Sequence, residues 1–238
     1  MNPTSKPDIR IVIPALNEEL SIGLVLDAIP QDIVAEVVVV DNGCTDGTAR
    51  IAAHKGATVL EESRRGYGSA CQKGILYLEN SPCEILVILD ADFSDPPERL
   101  TDVVGPILRD EADMVMGSRT LGHAEPGALL PQARFGNWLA GILIWAFCGR
   151  RFTDMGPFRA MRFRRFLELG CRDPNFGWNV EMQMKALRTG WIVEEVPVDY
   201  RCRKGESKIT GTIKGTIMAG YKIIYTILYY GIWDRAGK

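Results

Sequence analysis

Histidine and paired cysteine are scarce in this chain of 238 residues. Its only two histidines, His54 and His123, argue against a histidine-rich metal site. The six cysteines are Cys44, Cys71, Cys83, Cys148, Cys171 and Cys202. They are scattered without a C-x-x-C pair, which argues against both a disulfide framework and a thiolate zinc site. We therefore expect reduced thiols in a cytoplasmic protein.

Strong net charge is also absent. The 28 Lys and Arg residues nearly balance the 30 Asp and Glu residues, which leaves a formal charge of -2 at pH 7. Such a chain has no overall field that would attract nucleic acid or an anionic membrane. We expect no nucleic-acid partner, and any recognition of an anion must come from a local cluster of basic residues.

Long apolar runs and a secretory signal are missing as well. The first ten residues, MNPTSKPDIR, lack the apolar core of a signal peptide. The apolar stretch 138–148 is too short to span a bilayer, since a spanning helix needs about 20 apolar residues. The longer stretch 217–233 is interrupted by Lys222 and predicts an interfacial helix. We expect this helix either to make a peripheral contact with the cytoplasmic face of a membrane or to pack against a second copy of the chain.

The apolar residues that are present, 46% of the chain, follow a regular alternation of strand and helix patterns. Short β-branched runs predict strands at 9–13, 36–40, 57–60, 84–89 and 113–116. Amphipathic segments predict helices at 19–29, 46–54, 67–79 and 97–109. Weaker patterns predict helices at 134–149 and 179–188 and strands at 158–162 and 191–198. The alternation predicts an open, doubly wound, mostly parallel α/β sheet with helices on both faces. We expect one domain at 1–210 and an apolar helix at 211–238.

Polar segments follow the predicted strands, at the sheet edge where ligands bind in folds of this kind. The pair of acids in Asp90-Ala91-Asp92 directly follows the apolar run 85–89. Carboxylate oxygens suit a hard cation such as Mg2+ or Mn2+, which in turn bridges phosphates. The alternative is a capped turn, because Asp is common there in any case. The pattern favours a metal site made by Asp90 and Asp92.

A second acidic turn follows the run of valines at 37–40. Asp41 stands where a carboxylate accepts hydrogen bonds from a nucleobase or from ribose hydroxyls, while Asp46 fits a helix N-cap. No G-x-G-x-x-G run is present, which argues against a dinucleotide-dependent oxidoreductase.

Taken together, residues 9–210 resemble the family 2 glycosyltransferases, and most closely the branch that is similar to dolichol-phosphate mannosyltransferases and polyprenyl-phosphate glycosyltransferases. The motifs that carry the resemblance are the P-x-x-N-E opening at 14–18, Asp41 with D-G-T at 46–48, D-A-D with P-P-E at 90–98, G-S-R at 117–119, the segment 153–159, and R-x-R with G-x-S-K at 201–208. Leu16 departs from the pattern, since related sequences often have an aromatic residue there. The resemblance implies a GT-A catalytic domain at 1–210 and transfer of a hexose from a GDP- or UDP-linked donor, with inversion at the sugar carbon.

The resemblance also implies the site. The donor-binding set it predicts is Pro14, Leu16, Asn17, Glu18, Asp41, Gly68, Asp90, Ala91, Asp92, Arg119, Arg201, Arg203 and Lys208. A divalent cation, Mg2+ or Mn2+, and basic side chains would stabilise the negative charge of the departing nucleoside diphosphate. Asp92 and Arg203 are therefore predicted to act in catalysis.

The acceptor decides whether a general base is needed. A polyprenyl or dolichyl phosphate, which the resemblance favours, is already anionic, whereas a hydroxyl acceptor requires a carboxylate that removes a proton. Asp154 and Glu181 are the candidates for that role. Two other functions remain open: a sugar-phosphate nucleotidyltransferase, and a protein that binds nucleotide sugars without turning them over.

Overall fold

The computed structural model describes residues 6–205 and 213–233. The strands in these ranges are β1 (Ile9–Ala15), β2 (Val34–Asp41), β3 (Thr58–Glu61), β4 (Ile85–Ile88), β5 (Met114–Ser118), β6 (Arg159–Arg162) and β7 (Val193–Pro197). The α-helices are α1 (Ile22–Ala28), α2 (Thr48–His54), α3 (Tyr67–Glu79), α4 (Leu100–Leu108), α5 (Pro131–Cys148), α6 (Phe163–Leu169), α7 (Trp178–Arg188) and α8 (Ile213–Leu228).

The strands form one sheet in the order β3-β2-β1-β4-β6-β5-β7. Strand β6 is antiparallel to both of its neighbours, and the other pairs are parallel. Side chains of β1 alternate between the two faces: Val12 packs in one apolar core, and Ile11 and Ile13 pack in the other. This is the predicted doubly wound, mostly parallel sheet with helices on both faces.

The predicted strands and helices are present, with ends that differ by a few residues. Helix α6 was not predicted, although Phe163, Phe166 and Leu169 bury one of its faces. Helix α6 follows β6 directly and its N-cap is Arg162, so neither a turn residue nor a typical capping residue marks its start. The sequence also gave no sign that β6 would enter the sheet between β4 and β5.

The C-terminal part of the chain packs on the same face as α5 and α7. Helix α8 continues into a π-helical turn at Tyr229–Trp233, and Gly231 lies against Phe147 of α5 so closely that an added Cβ would come within 2.6 Å of the ring. Thr226 and Ile227 are buried, whereas Tyr221 is 70% exposed. Within the described ranges, no helix is long and apolar enough to cross a membrane.

Candidate active site

A cavity of about 340 Å3 opens at the carboxyl edge of the sheet. The ends of β1, β2 and β4, the start of α3 and two later loops form its walls. Of the residues predicted to bind the donor, those that line it are Pro14, Leu16, Glu18, Asp90, Ala91, Asp92 and Arg203. The edge at which the sequence predicted a ligand site therefore carries the cavity.

Two carboxylates lie in the cavity wall because the fully buried strand β4 ends just before them. The Oδ1 atom of Asp90 is buried and has no hydrogen-bond partner in the described part of the chain. Burial, and then the negative charge of Asp92, raise the pKa of Asp90 to about 7. A buried carboxylate oxygen without a partner is costly unless it binds something else. Asp90 thus lines the cavity and has a buried oxygen for which the described residues supply no hydrogen-bond donor.

Asp92 is held differently. Its Oδ1 atom accepts hydrogen bonds from the Ser94 backbone N–H at 2.9 Å and from the Ser94 hydroxyl at 2.5 Å. Its Oδ2 atom lies 3.5 Å from Nη1 of Arg203. One carboxylate oxygen of Asp92 therefore fixes the turn after β4, and the other faces the guanidinium of Arg203.

Arg203 comes from the loop after β7 and reaches across to the first strand. Its Nη2 atom donates to Oε1 of Glu18 at 2.7 Å, and its Nε atom is buried without a partner in the described ranges. The Glu18 backbone N–H donates to Oγ1 of Thr48 at 2.8 Å, which ties β1 to the start of α2. The guanidinium thus stands between two acids, at the same cavity as Asp90.

The loop after β2 is braced by two residues that the sequence assigned to the donor. Oδ1 of Asp41 accepts the Cys44 backbone N–H at 2.6 Å, and Oδ1 of Asn17 accepts the Thr45 backbone N–H at 2.7 Å. Neither side chain lines the cavity. Their predicted contact with the donor stays a prediction.

Asn42 lines the cavity, and sequence reasoning missed it. Its Nδ2 atom donates to the carbonyls of Glu62 and Arg64 at 3.0 and 2.8 Å, and its Oδ1 atom accepts the Gly66 backbone N–H at 2.8 Å. Gly66 has φ 143°, a conformation that favours glycine. Asn42 therefore holds the loop that brings Arg65 to the cavity. Its position directly after Asp41, at a strand end, was the signal available in the sequence.

Arg119 and Asp154 form a buried ion pair beside the cavity. Nε of Arg119 donates to Oδ2 of Asp154 at 2.6 Å, and Nη2 donates to Oδ1 at 2.7 Å. Asn137 and the Met155 backbone N–H also donate to this carboxylate. Although burial opposes it, the charge of Arg119 and these hydrogen bonds hold the pKa of Asp154 below its usual value. The charges of Arg119 and Asp154 are therefore both paired within the protein.

The other predicted residues within the described ranges, Arg201, Glu181 and Gly68, also lie outside the cavity lining. Arg201 pairs with Glu98, and its guanidinium lies 4.7 Å from the centre of the Phe93 ring. The Glu181 carboxylate is buried and accepts a hydrogen bond from the Tyr230 hydroxyl at 2.7 Å. Gly68 packs on a neighbouring backbone. Lys208 falls outside the described residues. The roles predicted for these residues stay predictions.

Comparison of the sequence with a family model and with known proteins identifies the family. The model for "Glycosyl transferase family 2" matches residues 10–172. An uncharacterised glycosyltransferase of Mycobacterium tuberculosis is 36% identical over 219 residues, which cover 89% of this chain and 94% of that protein. A dolichyl-phosphate hexose transferase of Haloferax volcanii is 34% identical over 208 residues, covering 85% of this chain and 86% of that protein. The chain belongs to glycosyl transferase family 2, as its motifs predicted.

The fold has counterparts among solved structures. Glucosyl-3-phosphoglycerate synthase from Mycobacterium tuberculosis, in complex with Mn2+, uridine diphosphate and glucosyl-3-phosphoglycerate, matches with a TM-score of 0.73 at 22% identity. The match covers 94% of this chain and 80% of that one. It confirms the predicted GT-A fold, and the family confirms the predicted enzyme class, a glycosyltransferase.

Proposed function

We propose that this chain transfers a hexose from a GDP- or UDP-linked donor to a polyprenyl or dolichyl phosphate. The observation that carries the proposal is the cavity at the end of β4, where Asp90 and Asp92 face Arg203. The donor diphosphate requires positive charge, and the sugar requires an enclosed space beside it. The cavity supplies both.

The acidic pair fits a divalent cation. The unpartnered Oδ1 atom of Asp90 and the hard oxygen donors of both residues suit Mg2+ or Mn2+. Within the described ranges, no group of three or more His, Cys, Asp or Glu side chains could hold a metal, so water and donor phosphates would complete the coordination. Mg2+ is commonly bound in this way, by one or two carboxylates and the substrate phosphates. When bound, the cation neutralises charge on the leaving nucleoside diphosphate.

The protein's own groups then bind and orient the donor. Arg203 is held in place by Glu18 at 2.7 Å, so its charge is positioned before the donor enters. Arg203 lines the cavity, so its guanidinium charge would attract the donor phosphates. The leaving group becomes more negative as the sugar departs, and a fixed cation stabilises that state more than the bound donor.

The hydrogen bonds and the location of Asp154 and Glu181 favour an acceptor that is already anionic. Asp154 is saturated with hydrogen bonds and paired with Arg119, and Glu181 is buried with partners of its own. Neither lines the cavity, so neither is placed to take a proton from an acceptor hydroxyl. A lipid phosphate needs no such base. The name of the Haloferax relative, a dolichyl-phosphate hexose transferase, supports the same class of acceptor.

An aromatic surface on α5 and α8 supports access to a lipid acceptor. Phe135, Trp138 and Trp145 are spaced along one side of α5 and are 61%, 51% and 56% exposed. On α8, Tyr221 and Tyr225 stack at 6.2 Å and are both exposed. We call these exposed side chains, together with Tyr229, the aromatic surface. Aromatic side chains of this kind favour the interface of a bilayer.

The distribution of charge favours an anionic bilayer as the partner of this surface. Segments 126–153 and 207–233, which contain α5 and α8, hold six Lys and Arg residues and no Asp or Glu. All 30 acidic residues lie in the rest of the chain, against 22 basic ones. Basic residues beside aromatic ones bind anionic lipid headgroups. We therefore infer a peripheral contact with an anionic membrane, with self-association as the competing outcome.

The transfer reaction is tested by product release. Purified protein is incubated with UDP-glucose, UDP-galactose, UDP-N-acetylglucosamine or GDP-mannose, with Mn2+ or Mg2+, and with undecaprenyl or dolichyl phosphate in detergent. We expect release of a nucleoside diphosphate that depends on the lipid phosphate and stops with EDTA. In a parallel incubation with UTP or GTP and a hexose 1-phosphate, release of pyrophosphate would instead identify a nucleotidyltransferase. Absence of any product in both incubations would favour a binding protein.

The membrane contact is tested by vesicle flotation. Wild type should float with vesicles of phosphatidylglycerol and phosphatidylcholine and should float less with phosphatidylcholine alone. Trp145→Ser should weaken flotation, whereas Leu76→Ser, at a 60% exposed position on α3, should not. Equal flotation of both variants, or a dimer in solution that ignores vesicles, would contradict the contact.

A further inference from the structure

One wall of the cavity is formed by Asn175 and Phe176. They belong to the loop between α6 and α7, residues 171–177, which we call the wall loop. The Ser69 backbone N–H of α3 donates to the carbonyl of Pro174 at 3.0 Å. A Cβ at Gly68 would lie 1.9 Å from the carbonyl oxygen of Asp173, so glycine permits this contact. The wall loop therefore packs directly on the first turn of α3.

Asp173 shapes the wall loop from within. Its Oδ1 atom accepts the backbone N–H groups of Asn175 at 2.8 Å and Gly177 at 3.2 Å. Its Oδ2 atom lies 2.7 Å from Nζ of Lys222, on α8. The carboxylate that folds the loop is thus paired with a cation of the C-terminal helix.

Glu181 makes a second connection to the same part of the chain. Its carboxylate accepts the backbone N–H groups of Arg172 at 3.0 Å and Asp173 at 2.6 Å. Oε1 also accepts the Tyr230 hydroxyl at 2.7 Å, just beyond α8. We call α8 and the turn Tyr229–Trp233 the C-terminal segment. Asp173 and Glu181, the two acids that hold the wall loop, therefore both contact it.

We propose that the C-terminal segment positions the donor cavity's wall, with Lys222 and Tyr230 as positioning residues that act through Asp173 and Glu181. Neither Lys222 nor Tyr230 lines the cavity, so both act at a distance from the donor. Loss of either contact lowers the fraction of molecules in which the wall loop is in place, and donor affinity falls by that fraction. The proposal rests on the proposed function only in taking a nucleotide sugar as the occupant of the cavity.

Two tyrosine variants test the proposal by removing the same atom at different places. Tyr230→Phe deletes the hydroxyl bonded to Glu181, and Tyr77→Phe deletes a hydroxyl on α3 that donates to Glu36, at residues that do not line the cavity. For Tyr230→Phe we expect KM for the donor to rise about fivefold, as for one lost hydrogen bond of ordinary net strength, with kcat within about twofold of wild type. Tyr77→Phe should match wild type. Lys222→Gln should raise KM in the same way, and Lys222→Arg should restore most of the affinity.

Hydrogen exchange gives a readout that needs no donor. Amides of residues 171–178 should exchange faster in Lys222→Gln and Tyr230→Phe than in wild type, while those of β4 should not change. Unchanged exchange in the wall loop, or faster exchange throughout the molecule, would overturn the proposal. If wild type releases no nucleoside diphosphate from any donor, the proposed function fails, but exchange still decides whether the C-terminal segment holds the wall loop.

Discussion

Two clusters of acid and base at the same sheet edge differ in how completely their atoms are paired. Next to the cavity, Asp90 Oδ1 and Arg203 Nε have no partner in the described part of the chain. In the buried pair, both oxygens of Asp154 accept hydrogen bonds, and two of them come from the Arg119 side chain. Charged residues at a strand end therefore do not define a site by themselves. At Asp90 and Arg203, unpaired atoms belong to residues that line a cavity, and the Arg119–Asp154 pair has neither feature.

The strongest test of this difference is Asp92→Asn. The change keeps the size of the side chain but removes a charged oxygen ligand, and we expect turnover to fall by about a thousandfold, or ~4 kcal/mol of transition-state stabilisation. The melting temperature should change little, since the turn at Ser94 keeps an acceptor. The measurement is kcat with saturating Mn2+ beside a thermal melt. Asp27→Asn, on the surface, is the control, and full activity of Asp92→Asn in metal-limited buffer would remove the central claim.

Asp154→Asn should affect stability instead. Removing one partner of a buried ion pair leaves Arg119 without its charge partner, at a cost of about 3 kcal/mol in the free energy of unfolding. Because the folded pKa of Asp154 lies below its ordinary value of 3.8, the carboxylate stabilises the fold above that value, and this contribution is lost as pH falls through the folded pKa. Chemical denaturation at pH 7 and at pH 3 should show the gap between wild type and variant narrowing with acid. A variant as stable as wild type at pH 7, but inactive, would instead support a catalytic role for Asp154.

Arg203→Ala should lower the rate by about thirtyfold, as expected for a lost charge-assisted hydrogen bond of ~2 kcal/mol. Arg203→Lys should recover only part of the loss, because a lysine ammonium cannot make the two parallel bonds of a guanidinium. Arg201→Ala is the matched comparison, since Arg201 pairs with Glu98 outside the cavity lining. Steady-state kinetics at low and saturating donor would measure all three. An equal loss of rate in Arg203→Ala and Arg201→Ala would show that the position of Arg203 at the cavity gives it no special role.

The smallest expected effect is at Asn42. Asn42→Ala removes three hydrogen bonds that hold the loop between β3 and α3, and we expect donor affinity to weaken by about 1 kcal/mol. Calorimetry of donor binding would measure this loss. Asn80→Ala, at the exposed end of α3, serves as the control. An unchanged affinity for Asn42→Ala would mean that the loop keeps its shape without this side chain.

Much of the fold was predictable because its signals are local. The valines of β2 and the apolar run before Asp90 mark strands that are buried on both faces. Such strands can be recognised from a few neighbouring residues in the sequence. The position of Asp90 and Asp92 follows from the same local reading, since a turn after a buried strand places its residues at the sheet edge. The prediction of Asp46 as the N-cap of α2 is wrong by one residue. Gly47 is the N-cap, and the Asp46 carboxylate accepts the Thr48 backbone N–H at 3.0 Å from the preceding position.

The sequence by itself determined the order of strands and helices apart from α6, the acidic pair and the family. Only the tertiary structure decided which charges pair with each other. Arg119 binds Asp154, 35 residues away, and Arg203 binds Glu18, 185 residues away. Likewise, the antiparallel entry of β6 between β4 and β5 depends on contacts between distant segments. No local pattern encodes such pairings, because they form only when the whole sheet brings its strand ends together.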